Sequence, residues 1–228
     1  VAMSASLLKL ANSSMYGRRT IKSIEQALAF LGLNQVASLM TGLLARQAIA
    51  PAHASLASFW EVSTRRAQAM VYLSRKLHVV PSDIAHTFGL FCDTGIPLMM
   101  ERFPDYAYTL EAAAHGNGVF TSIEDLRHVT NHAAIGSLLA RTWGLPTDVS
   151  WSILHHHDYH VIEDRSTPEA VRSTIAASLL CERAIQSFQG LESGEWEKGG
   201  EIACTHFGLQ DAEAADLYDE LLEAFHRD

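Results

Sequence analysis

Apolar residues along this chain recur at helical spacing in nearly every segment. The stretch from Leu7 to Ala11 carries one apolar face, and the stretch from Ala27 to Leu31 carries the next. Ser23 precedes the second stripe and Gln26 follows three residues later, which is the spacing of a capping box at a helix N-terminus. No run of strand length alternates apolar and polar residues, so the sequence predicts an all-α fold.

The same pattern continues to the end of the chain. Thr121 and Glu124 form a second capping-box pattern, and the Gly- and Glu-containing stretch from Gln189 to Gly200 predicts a loop. Further helices are predicted over about 34–48, 55–77, 123–143, 147–156 and 168–188, with another beginning at Ser82 and a final acidic one beginning near Asp211.

These elements divide the chain into three parts. We expect an N-terminal helical lobe over 1–50, a larger helical core over 51–190, and a loop with an acidic helix over 191–228. The boundary between the first two falls near Pro51. Because Val1 already lies in a helical pattern without an N-cap before it, we also expect further sequence upstream.

Composition narrows the classes of partner. The 228 residues carry a formal net charge of −9, and adjacent basic residues occur only at 18–19, 65–66 and 75–76, which disfavours binding to a nucleic acid backbone. The longest apolar candidate, 36–50, is interrupted by polar residues, so no membrane insertion is expected. The three cysteines form no close pair, which is typical of a reducing, cytoplasmic setting.

Histidine is the residue type that suggests chemistry. The chain has 12 histidines, and four of them lie between His155 and His160. Imidazole nitrogens bind divalent metals, although a histidine run at a helix C-terminus is also a favourable cap. Asp93 lies in an apolar segment where a bare carboxylate is costly to bury, and His132 precedes Gly136 by one helical turn. Metal ligation and ordinary core or capping roles both remain open at this point.

Several motifs occur in order and at compatible spacing over about residues 4–186. They are Leu10–Gly17, Leu31–Leu33, Phe59–Glu61, Cys92–Pro97, Trp143–Pro146 and Ile153–Asp158. Together they resemble the HDOD domains of bacteria, distant relatives of the metal-dependent HD and HD-GYP phosphohydrolases. The resemblance implies an HD-like helical bundle with an N-terminal helical lobe.

The resemblance also implies a residual metal site. The positions that match ligands of the related hydrolases are Asp93, His132, His156, His157 and Glu182. Two expected ligands are replaced, because Val62 stands where an early histidine belongs and Cys92 replaces the histidine of the His-Asp pair. Valine has no donor atom, and a thiolate is softer than phosphate hydrolysis normally uses. We therefore expect no cofactor, or at most one divalent metal ion, and no catalytic two-metal bridge.

The resemblance favours a non-catalytic signal-transduction module that acts through protein or ligand binding. Its expected partners are signalling proteins or fused regulatory domains, and an assembly of identical copies is compatible with it. One alternative is a metal-dependent phosphohydrolase acting on a nucleotide or cyclic dinucleotide. Another is a domain that keeps a structural or sensory metal, or a small ligand, without chemistry.

Overall fold

In the computed structural model, the residues described are 8, 11–13, 20–48 and 55–227, and the regular structure of these ranges is entirely helical. The all-α prediction is thereby confirmed. The helices of these ranges are α1 (Ile24–Leu31), α2 (Leu33–Ala48), α3 (Ser55–Leu77), α4 (Ser82–Phe91), α5 (Gly95–Arg102), α6 (Tyr106–Ala114), α7 (Thr121–His128), α8 (His132–Thr142), α9 (Thr147–His155), α10 (His160–Glu163), α11 (Glu169–Phe188), α12 (Gly194–Phe207) and α13 (Asp211–Arg227).

The first capping box forms as predicted. Ser23 Oγ accepts a hydrogen bond from the N–H of Gln26 at 3.2 Å, and the Gln26 side chain accepts one from the N–H of Lys22 at 3.0 Å. Gly32 ends α1 with a φ of +82°, a conformation that favours glycine, and α2 follows directly. Most of the helix predicted at 7–11, and the boundary predicted near Pro51, lie outside the described residues.

Helices α3, α4 and α11 form the centre of the core, with buried side chains from all three in one hydrophobic cluster. A glycine allows α3 and α4 to pack closely, because a Cβ atom added at Gly89 would lie 2.7 Å from Cα of Ala67. Trp60 is buried in the same cluster and Trp143 packs against it, as expected for core residues. This close packing brings the middle of α3 beside the C-terminal end of α4.

The helix predicted over 123–143 is in fact two helices. Val129 follows α7 with a φ of +60°, and Asn131 then caps α8 by accepting the N–H of Ala134 at 2.8 Å. The second capping-box prediction is also wrong, since Thr121 lies inside α7 and makes no side-chain cap there. The carboxylate of Glu124 turns inward and is fully buried. It makes a hydrogen bond with the His132 side chain instead of capping the N-terminus of its own helix.

The C-terminal part is more helical than the sequence suggested. The loop predicted over 189–200 ends at Ser193, and α12 begins at Gly194. Gly199 lies in this helix and faces Tyr159. A Cβ atom added at Gly199 would come within 2.7 Å of the Tyr159 ring, so the lack of a side chain allows the helix to pack closely there. Helix α13 matches the predicted acidic helix. Among the described residues, no helix has the length and apolar character needed to cross a membrane.

Candidate functional site

Four of the residues predicted as ligands meet at one place inside the fold. Asp93 lies in the turn between α4 and α5, His132 begins α8, and His156 and His157 follow α9. Oδ1 of Asp93 lies 3.3 Å from Nε2 of His156 and 3.8 Å from Nε2 of His132. His132 and His156 are buried, and His157 is nearly so.

The orientation of His132 is fixed by Glu124. Nδ1 of His132 lies 2.7 Å from Oε2 of Glu124, whose other oxygen accepts the His132 backbone N–H and the hydroxyl of Tyr106. Burial would raise the pKa of Glu124, but the hydrogen bonds from His132 and Tyr106 lower it below its ordinary value. Since an ionised carboxylate only accepts, Nδ1 of His132 carries a proton, and Nε2 is the nitrogen available to bind a cation.

The other two histidines are held in the same tautomer. Nδ1 of His156 lies 2.7 Å from the carbonyl oxygen of Ile153, and Nδ1 of His157 lies 3.0 Å from Oε2 of Glu195. Both partners are acceptors, so Nδ1 donates in each case. Burial, followed by the neighbouring His156, lowers the pKa of His157 to about 3, which keeps that ring neutral. Phe120 stacks on the His157 ring with centroids 4.5 Å apart.

The three Nε2 atoms therefore point their lone pairs at one another. Nε2 of His132 lies 3.3 Å from that of His156 and 3.2 Å from that of His157. Together with Oδ1 of Asp93 they make a set of electron-pair donors that repel unless a cation, either a proton or a metal ion, lies among them. The spacing suits a metal, because metal–nitrogen bonds of about 2.0–2.1 Å in a tetrahedron place the nitrogens about 3.3–3.4 Å apart.

The opposite side of Asp93 faces an arginine. Nη1 of Arg66 lies 2.9 Å from Oδ2 of Asp93, and Nε and Nη2 lie 3.1 and 2.9 Å from Oε2 of Glu182. Arg66 is only 6% exposed. Burial would raise the pKa of Asp93, but the charge of Arg66 brings it well below its ordinary value. A permanently charged guanidinium thus bridges two of the five predicted ligands.

One of the two replaced positions, Cys92, lies on this side as well. Nη1 of Arg66 also approaches Sγ of Cys92 at 3.3 Å, and burial raises the pKa of that thiol well above its ordinary value. Val62 packs against the hydrophobic core. Glu182 has its polar contacts with Arg66 and Gln186. The site therefore has two parts, which we call the arginine side (Arg66 with its partners) and the histidine side (the three histidines).

Sequence reasoning misses three residues of this site. The sequence presents Arg66 only as one of two adjacent basic residues, and its local patterns assign Glu124 to a helix cap and Glu195 to a loop. No local signal distinguishes Glu124 from the adjacent Asp125, or Glu195 from Glu197, as the carboxylate that contacts a histidine. No local signal identifies Arg66, whose partners are 27 and 116 residues away.

Comparisons with known proteins agree with this architecture. The sequence profile of the HDOD domain family matches residues 1–159. A protein provisionally named as a phosphohydrolase from Shewanella amazonensis SB2B aligns over 97% of this chain and 78% of its own, with 20% identity and a TM-score of 0.68. An HDOD domain protein of unknown function from Geobacter sulfurreducens aligns over 99% of this chain and 79% of its own, with 18% identity and a TM-score of 0.69. A provisionally named signal transduction protein from Marinobacter aquaeolei VT8 aligns over 97% of this chain and 50% of its own, with 21% identity and a TM-score of 0.69. No curated protein matches the chain.

Proposed function

This chain belongs to the HDOD domain family, and we propose that it is a non-catalytic regulatory module of bacterial signal transduction. In this proposal it acts by binding proteins or small ligands and not by hydrolysing phosphoesters. The proposal is in line with the relatives of similar fold, one of which is provisionally named a signal transduction protein.

The observation that carries the proposal is the position of Arg66. Its guanidinium neutralises Asp93 and Glu182, two carboxylates that a pair of metal ions would need. An arginine stays protonated at any physiological pH, and its charge repels a cation placed beside it. With Val62 and Cys92 also unable to serve as hard ligands, the arginine side favours a structural ion pair over a second metal ion.

The histidine side supports binding of one ion. Three imidazole nitrogens with one carboxylate oxygen suit Zn²⁺ or a similar transition metal better than Mg²⁺ or Ca²⁺, which prefer oxygen ligands. The ligands would be His132, His156 and His157, with Oδ1 of Asp93 beside them. An ion held there would supply Lewis acidity. One ion without a second gives no clamp for both the attacking and the leaving oxygen of a phosphoester.

A metal-dependent phosphohydrolase remains the second candidate. The convergence of three imidazole Nε2 atoms is the observation that favours it, since some hydrolases work with one open metal position. Its substrate would be a nucleotide or a cyclic dinucleotide.

The test measures metal content and turnover on the same sample. The purified chain is loaded with Zn²⁺ or Mn²⁺, desalted and analysed by inductively coupled plasma mass spectrometry. Hydrolysis of bis(p-nitrophenyl) phosphate and of cyclic dinucleotides is then followed. We expect at most one ion per chain, lost in His132→Ala and kept in His160→Ala, an exposed histidine outside the cluster. No turnover above the His132→Ala background is expected.

The opposite result is equally clear. Two retained ions per chain, with phosphoester hydrolysis abolished by His156→Ala, would overturn the non-catalytic proposal. Hydrolysis with one ion, lost in His132→Ala, would establish the second candidate instead.

A further inference from the structure

One side chain of the C-terminal helices reaches the histidine side. Glu195, in the first turn of α12, is 7% exposed and accepts the Nδ1 proton of His157 at 3.0 Å. The same carboxylate accepts the Tyr159 hydroxyl and, through its other oxygen, the Lys198 ammonium at 2.7 Å. Helix α12 lies wholly beyond residues 1–159, the part that matches the family profile.

Glu195 controls where the His157 lone pair points. The ring is stacked on Phe120, which leaves a 180° flip about the Cβ–Cγ bond and the choice of tautomer as its remaining freedoms. A carboxylate at Nδ1 selects the tautomer in which Nε2 is unprotonated and faces His132.

The same contact also holds α12 against the core. Gly199 of this helix packs against the Tyr159 ring, and Tyr159 in turn donates to Glu195. A buried carboxylate must keep its donors, because an unpaired one is costly in an apolar setting. Seating of α12 and orientation of His157 therefore depend on one group.

We propose that Glu195 is a positioning residue that couples the occupancy of the histidine side to the seating of α12. A cation bound by His157 draws electron density from the ring and strengthens its Nδ1–H bond to Glu195, which stabilises the docked helix. By reciprocity, docking of α12 raises the affinity for the ion. The inference rests on the proposed single-ion site, and it identifies the C-terminal helices as the element that responds to it.

The experiment uses Zn²⁺ as the probe on the full chain. Isothermal titration calorimetry gives the affinity, and hydrogen exchange with mass spectrometry follows the amides of residues 195–207. We expect Zn²⁺ to slow exchange in this segment of the wild-type chain. Glu195→Gln, which removes the charge at nearly the same shape, should weaken Zn²⁺ binding by about 10–100-fold and remove the protection. Glu197→Gln, in the same turn but exposed, should behave as wild type.

A second variant protects the test against simple misfolding. Glu195→Asp keeps the charge but shortens the side chain by one methylene and withdraws the carboxylate from Nδ1, so it should also lower the Zn²⁺ affinity, with a native circular dichroism spectrum. Unchanged Zn²⁺ affinity in folded Glu195 variants, or unchanged α12 exchange on Zn²⁺ binding by the wild-type chain, would overturn the coupling alone. Absence of any Zn²⁺ binding by the wild-type chain would overturn the single-ion site together with it.

Discussion

The two sides of the site share Asp93 but solve the problem of buried charge differently. On the arginine side, Arg66 supplies a permanent cation that lies between Asp93 and Glu182. On the histidine side, three Nε2 atoms face one another with their protons committed elsewhere, at Nδ1. The charges of the first side are balanced within the protein, whereas the proposed role of the second is to receive an added cation.

This difference shows that residues that meet at one site can have unlike physical roles. Arg66 supplies the positive charge that Asp93 and Glu182 require, so these carboxylates are partners in a buried ion pair. Glu124 and Glu195 instead fix the orientation of His132 and His157. The predictions below test this division, beginning with the largest expected effect.

Replacing Arg66 should destabilise the whole fold. Arg66→Met leaves Asp93 and Glu182 without their buried counter-charge, and breaking a buried pair typically costs about 3–5 kcal/mol of unfolding free energy. Urea unfolding followed by circular dichroism measures the loss. Lys76→Met is the control, because its pair with Glu220 is exposed and should be worth at most about 1 kcal/mol. Equal losses in the two variants would show that the arginine side has no special structural role.

Acidification should weaken the histidine side and leave Arg66 and Asp93 charged, since the pKa of Arg66 is raised and that of Asp93 is lowered by their contact. The folded-state pKa of His157 is lowered to about 3, by burial first and by His156 second, and burial lowers that of His86 to about 4. Below pH 6.5 the unfolded chain binds these protons more readily than the folded chain does. The free energy of unfolding is therefore highest above pH 6.5 and decreases as the pH falls from 6.5 towards the folded-state pKa values. A difference of one between the folded and unfolded pKa corresponds to about 1.4 kcal/mol, which gives at most about 3 kcal/mol for His86.

Urea unfolding of chelator-treated protein between pH 7 and pH 4 measures this dependence. His157→Gln and His86→Gln should each flatten the curve, and since His86 lies outside both sides of the site, the two reductions should add. A slope that neither substitution changes would contradict the assignment of neutral buried histidines.

The junction of the two sides should tolerate no added methyl group. A Cβ atom at Gly95 would lie 2.0 Å from the carbonyl oxygen of His132, so Gly95→Ala must move α5 and Asp93 away from α8. We expect a loss of about 1–3 kcal/mol in unfolding free energy and weaker Zn²⁺ binding. Gly118→Ala, where a Cβ atom meets nothing within 4 Å, is the matched control. Wild-type stability and affinity in Gly95→Ala would show that the two sides are not rigidly joined.

The smallest effect concerns the support of His132. Tyr106→Phe removes one donor from the buried carboxylate of Glu124, and hydrogen bonds to charged groups contribute about 1.5–3 kcal/mol. Because His132 remains as a partner, we expect a loss near the lower end, about 1–2 kcal/mol, in thermal or urea unfolding. Tyr108→Phe, at a side chain that is 71% exposed, should change little. No difference between the two would mean that the hydroxyl does not support Glu124.

The sequence was a good guide wherever the signal was local. Helix boundaries such as those of α3 and α13, and the cap at Ser23, follow from periodicity and capping chemistry that operate within a few residues. The resemblance to HDOD domains predicted Asp93, His132, His156 and His157 as ligands, and the structure brings these four residues together. Their binding of a metal stays a prediction.

The remainder could not be derived from local pattern because it depends on tertiary packing. A Thr-x-x-Glu spacing is the same whether Glu124 caps its helix or turns inward to a histidine, and only the fold decides. Gly199 and Gly200 lower helix propensity enough to predict a loop, yet close packing on Tyr159 compensates in α12. The role of Arg66 depends on the approach of α3 to α4 at Gly89, which no local motif encodes.

The guanidinium between Asp93 and Glu182 also limits which single substitutions this region can accept. A histidine introduced at position 92 would stand beside a fixed positive charge, and loss of Arg66 alone would leave two carboxylates without their counter-charge. Converting this half of the site to cation binding would therefore require several coordinated changes. The surface of the domain is under no such restriction, so what it binds can change one residue at a time.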